Sequence, residues 1–80
     1  MDDETVLSHI NELADEEHQL FQKEAGGEVS LDERTRLKQI GVTLDQCWDL
    51  LRQRRARRSA GLAPDDAEVR DPNVVERYLS

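Results

Sequence analysis

Glu24-Ala25-Gly26-Gly27-Glu28-Val29-Ser30-Leu31-Asp32-Glu33 is the stretch on which the fold turns. Two consecutive glycines can take positive φ and end a helix in a Schellman-type reversal. Just beyond them, Ser30 and Glu33 have the S-x-x-E spacing in which a hydroxyl and a carboxylate satisfy free amides reciprocally at a helix start. One helix therefore stops and another begins across a turn at residues 26–30, short enough for an antiparallel hairpin.

Upstream of the glycines, Val6, Leu7, Ile10, Leu13, Ala14, Leu20, Phe21 and Ala25 recur at three- and four-residue steps, which predicts a helix over about 3–25. On a wheel they cover an arc of roughly 140°, broader than a two-stranded coiled-coil seam requires. Downstream, no proline interrupts residues 31–59, and Leu37, Ile40, Leu44, Cys47 and Leu51 keep a heptad-like rhythm. Trp48 and Gly41 flank that seam on one side. Leu50 and Thr43 lie about a third of a turn away on the other, which predicts a second contact face. Gly61 closes this helix, and the arginines of its last turns suit the negative end of its dipole. In the tail, residues 60–80, Asp71-Pro72 offers a cap followed by proline at the first helical position, so a short helix is expected over 72–79.

The whole is a single small domain of 80 residues, of which 36% are apolar and 36% charged, with one Trp, one Tyr and one Phe. The mean hydropathy of −0.80 leaves a thin, aliphatic core. The net charge of −7 is unevenly spread. Residues 2–25 hold eight acids and one base, residues 30–59 four acids and eight bases, and residues 60–80 five acids and two bases. A basic helix between two acidic segments implies pairing within the fold before pairing with an outside polyanion. The single cysteine excludes a disulfide framework and a multi-cysteine zinc site, and no signal-peptide or membrane-spanning run appears. A cytoplasmic location is expected, without membrane attachment.

One hairpin interface offers little burial against the backbone entropy of about 80 ordered residues. Self-association is the expected remedy, a homodimer in which two hairpins form a four-helix bundle. Its candidate interface is Ile10, Leu13, Leu20, Leu37, Ile40, Leu44, Trp48 and Leu51, with Tyr78 anchoring the tail. The alternative is a tail that folds back over its own hairpin.

Among residues that could carry chemistry, Arg52, Arg54, Arg55, Arg57 and Arg58 form a candidate anion-binding cluster. They point around almost the whole circumference with no interleaved aromatics, and Asp2, Asp3, Glu4, Asp65, Asp66 and Glu68 compete for them. His9 and His18 fall on opposite sides of one helix and cannot grip one ion there. Neither a metal nor any other cofactor is expected. Glu17 sits inside the apolar arc and needs a partner, for which Arg34, Arg36 or Lys38 is in reach; Glu24 could pair with Arg34. Cys47 reads as a small core residue. No phosphate loop, nucleophile elbow or paired-cysteine motif is present.

The run Leu44-Asp45-Gln46-Cys47-Trp48-Asp49-Leu50-Leu51-Arg52-Gln53-Arg54-Arg55-Ala56-Arg57-Arg58 resembles domain-of-unknown-function family 2630. The shorter pieces Glu16-Glu17-His18, Pro64-Asp65-Asp66 and Val74-Val75-Glu76 extend the resemblance over nearly the whole chain. It implies a small, cytosolic, stand-alone actinobacterial protein with no established activity and no catalytic residue to carry over. The expectation is thus an all-α, coiled-coil-like hairpin with a short tail helix. It would be non-catalytic, acting by self-association and by binding a protein partner not yet known. A nucleic-acid or phosphate-binding accessory role for the arginine-rich helix end is the alternative.

Overall fold

The computed structural model describes residues 2–79, and side chains as far as Arg77. Helix α1 spans Asp3–Ala25, α2 spans Leu31–Ser59 and α3 spans Pro72–Leu79, with a single 3-10 turn at Pro64–Asp66.

Each boundary has a local cause. The Asp2 carboxylate accepts from the Thr5 amide at 2.8 Å and caps α1. At the other end Gly27 takes φ 74°, and the amides of Gly27 and Glu28 donate to the carbonyls of Glu24 and Lys23, a complete Schellman closure. Ser30 opens α2 with both halves of the capping box. The Glu33 amide donates to its hydroxyl, and its own amide donates to the Glu33 carboxylate, each at 3.1 Å. Gly61, at φ 76°, repeats the Schellman closure after α2, with Leu62 donating to Arg57. Asp71 starts α3, its carboxylate accepting from the Asn73 amide beyond Pro72.

Helices α1 and α2 pack antiparallel. Val6, Ile10, Leu13 and Leu20 meet Ile40, Leu44, Leu50 and Leu51 in one buried cluster, with Leu37 and Cys47 partly buried against it. Full burial of side chains of this size stabilises by about 1.5–3 kcal/mol each. Ion pairs border the seam at the turn end, Arg36 to Glu16 at 2.6 Å and Lys23 to Glu33 at 2.7 Å.

The tail returns along the other flank of α2. Val75 is fully buried there, Gln46 donates to the Arg70 carbonyl at 3.0 Å, and Gln53 donates to the Glu68 carbonyl at 2.9 Å. Asp49, 6% exposed, accepts from Gln53 and lies 3.6 Å from the Arg70 guanidinium. The tail thus takes the flank of α2 that carries Gln46, Asp49 and Gln53, while Leu50, expected on a second contact face, joins the buried hairpin cluster. Helices α1 and α3 each pack on α2 rather than backbone to backbone on one another among the described residues. The result is elongated and flat, 49 × 25 × 15 Å.

Candidate functional site

At the C-terminal end of α2 the arginine run divides by helical geometry. Arg54 is 5% exposed; its Nε donates to Asp3 at 2.5 Å and its Nη1 to Asp65 at 3.0 Å. One turn on, Arg58 donates to the second oxygen of Asp3 at 2.9 Å. Arg57 turns toward the 3-10 turn, donating to the Ala63 carbonyl at 2.6 Å and to Asp66 at 3.5 Å. Hydrogen bonds from Arg54, then Arg58, hold the Asp3 carboxyl below the usual carboxylate range. The Arg54 guanidinium is in turn held protonated, first by Asp3 and then by Asp65. Arg52 and Arg55 face away, exposed, with neither a hydrogen bond nor an ion pair among the described residues. The five arginines thus divide into Arg54, Arg57 and Arg58, which pair within the fold, and Arg52 and Arg55, which do not among the described residues. Of the acids expected to compete for them, Asp3, Asp65 and Asp66 do so, whereas Asp2 spends its carboxylate on the cap of α1.

About three turns away, the free side of α2 forms the floor of an open groove of about 490 Å³. Helix α1 contributes Phe21 and Glu17, α2 contributes Leu37, Leu44 and Trp48, and α3 contributes Glu76. Phe21 is 49% and Trp48 42% exposed, so the apolar floor is left open to solvent. The charged lining is Glu17, Asp45 and Glu76 against Lys38 alone. Glu76 shares a hydrogen bond with Asp45, which together with burial and the neighbouring negative charge pushes its carboxyl above the ordinary glutamate value. Its Oε1 is buried without a hydrogen-bond partner among the described residues. In a native protein such an orphan asks for a donor.

The structure places the residues expected at an interface between copies in two sets. Ile10, Leu13, Leu20, Ile40, Leu44 and Leu51 lie buried inside one chain, because the hairpin closes on them. Trp48 stays exposed and Leu37 half-buried, both in the groove. The Tyr78 side chain lies outside the described residues. Glu17 is half-buried; of the cations expected in its reach, Arg34, Arg36 or Lys38, Arg36 goes to its neighbour Glu16 and Lys38 lines the same groove as Glu17. Likewise Lys23 with Glu33, rather than Glu24 with Arg34, makes the pair beside the turn. No group of three metal-ligating side chains gathers among the described residues, and His18 contacts Gln22 at 3.2 Å. Burial pushes the Cys47 thiol up, away from the thiolate form that reacts.

The Asp45–Glu76 pair was not legible beforehand. Nothing local in the sequence brings residue 76 to residue 45; only the return path of the tail does.

With this geometry in place, the chain can be set against known proteins. The model of the family described as "Protein of unknown function (DUF2630)" matches residues 2–80. The chain belongs to the DUF2630 family. It is similar to uncharacterized proteins of Mycobacterium tuberculosis strain H37Rv and of Mycobacterium bovis, each 47% identical over 77 residues. In both comparisons the match covers 95% of this chain and 88% of the relative. No solved structure matches. No helix among the described residues is long and apolar enough to cross a membrane. The DUF2630 assignment therefore brings no catalytic, metal or ligand residue to either region of the molecule.

Proposed function

We propose that this DUF2630 chain is a non-catalytic interaction protein that works by self-association through the side of α2 carrying Trp48. One observation carries the reading. Of only three aromatic residues, two, Phe21 and Trp48, stand about half exposed beside the same groove. In a protein so short of apolar residues, an open aromatic floor is surface that association would cover. The single, half-buried thiol of Cys47 is in keeping with work in the reducing cytoplasm. The test is the solution mass by light scattering at micromolar concentration. A dimer is expected, and a 9.2 kDa monomer with an intact melting transition would overturn the reading.

A second reading has one feature in its favour, the exposed Arg52 and Arg55, which make neither a hydrogen bond nor an ion pair among the described residues. Two guanidinium groups could contact phosphates, and binding of DNA or RNA would then weaken steeply with salt. Unchanged mobility of both nucleic acids at low salt dismisses this alternative.

A further inference from the structure

On α2, Gly41, Asp45, Trp48, Arg52 and Arg55 follow steps of four, three, four and three. At about 100° per residue these positions fall within an arc of roughly 80°. The line lies between the flank taken by α1 and the flank taken by the tail, and its first three members line the groove. A Cβ added to Gly41 would meet nothing within 4 Å, so the backbone is bare at that point of the line. Along it, acidic character at Asp45, backed by Glu76 and Glu17, gives way to the guanidinium groups of Arg52 and Arg55 on the far side of Trp48, which have no ion pair among the described residues.

That order of charges is self-complementary in one orientation only. Two α2 helices crossing antiparallel about Trp48 bring position 45 of each opposite positions 51–52 of the other, and position 41 opposite position 55. The mean offset from the axis is about 5 Å along the helix for the inner pair. Parallel packing would set Arg52 against Arg52 and Asp45 against Asp45.

We infer that a second copy of this chain occupies the groove, its α2 antiparallel about a two-fold axis at Trp48, so that Arg52 of each copy binds Asp45 and Glu76 of the other. This rests on the self-association proposed above and specifies its surface and polarity. Two observations meet in it. The adjacent carboxyls of Asp45 and Glu76, whose Oε1 has no hydrogen-bond partner among the described residues, gain a guanidinium donor, and Gly41 leaves room for the Arg55 stem. Such an isologous contact makes each pair twice. It also joins Trp48 to its counterpart at the centre, where interface anchors concentrate.

A charge exchange on the full-length chain tests it. Sedimentation equilibrium would be measured for wild type, Asp45→Arg, Arg52→Glu, the double variant, and an equimolar mixture of the two single variants. Each single variant sets like charges against each other at two symmetry-related places, and its dimer should weaken by at least about tenfold. The double variant and the mixture restore opposite charges at both places and should regain dimers. Unchanged helical circular dichroism in each single variant ties the loss to the interface rather than to folding. Dimers that persist in both single variants would overturn this packing while leaving self-association standing. A monomeric wild type would remove both, and single variants that dissociate without recovery in the mixture would overturn the Asp45–Arg52 pairing.

Discussion

The arginine-rich end of α2 and the groove beside Trp48 each bring together carboxylates from distant parts of the chain, yet they end in opposite electrostatic states. At the end of the helix, Asp3 and Asp65 close on Arg54, and Asp3 also holds Arg58, so the carboxylate charge is welcome there and the Asp3 carboxyl ionises more readily than usual. In the groove, Asp45 and Glu76 close on each other, and the Glu76 carboxyl holds its proton more tightly than usual. The first cluster is finished within one chain. The second has no ion pair among the described residues, and the proposed dimer would bring it Arg52 from a second copy.

The sharpest way to break this comparison is to truncate one residue on each side of it. Ile40 and Leu51 lie wholly within the hairpin, and Ile40→Ala or Leu51→Ala should lower the unfolding free energy by about 2–5 kcal/mol in urea titrations. Trp48→Ala should do the reverse, abolishing the dimer in light scattering while the isolated hairpin keeps its helicity. Next in size, Arg54→Gln removes the cation from Asp65, leaves Asp3 to Arg58 alone and should lower Tm by several degrees, whereas Arg55→Gln should leave the thermal unfolding of the monomer unchanged.

Acidification should then move the two regions in opposite directions. The Asp3 carboxyl is depressed in the fold, so its contribution is present above the ordinary aspartate value near 3.8 and is lost as pH falls through the lower folded value. The Glu76 carboxyl is raised, so its contribution is complete below the ordinary value near 4.5 and is lost as pH rises through the higher folded value. Hydrogen exchange of monomeric Trp48→Ala should accordingly show α3 amides better protected near pH 4.5 than at neutrality. Glu76→Gln should erase that difference. The smallest expected effect belongs to neither cluster: Ser30→Ala removes half of the capping box at the start of α2 and should cost about 1 kcal/mol without changing either pH response.

The hairpin was legible in the sequence because its instructions are local. A glycine pair that supplies one positive φ, a serine three residues before a glutamate, and apolar residues at helical spacing act over one or two turns of chain. The same holds for the start of α3 at Asp71-Pro72. The division of the arginines was only half legible. Their spread around the helix could be read from spacing, and so could the presence of competing acids. Which guanidinium meets which carboxylate depended on where Asp3 and the 3-10 turn come to rest. Glu17 shows the limit of the wheel: it sits on the apolar arc, yet the antiparallel register hands Arg36 to its neighbour Glu16.

By itself, then, the sequence determined where helices begin and end and which of their faces are apolar, since capping, glycine conformation and periodicity are short-range properties of the chain. Only the tertiary structure decided which apolar face is spent inside the molecule and which is left over. The tail, by lying along the side of α2 that carries Gln46, Asp49 and Gln53, covered one face and brought Glu76 to Asp45. That choice left Trp48 in the open, because burial and charge pairing over thirty residues are set by how helices pack and not by any residue's neighbours in sequence.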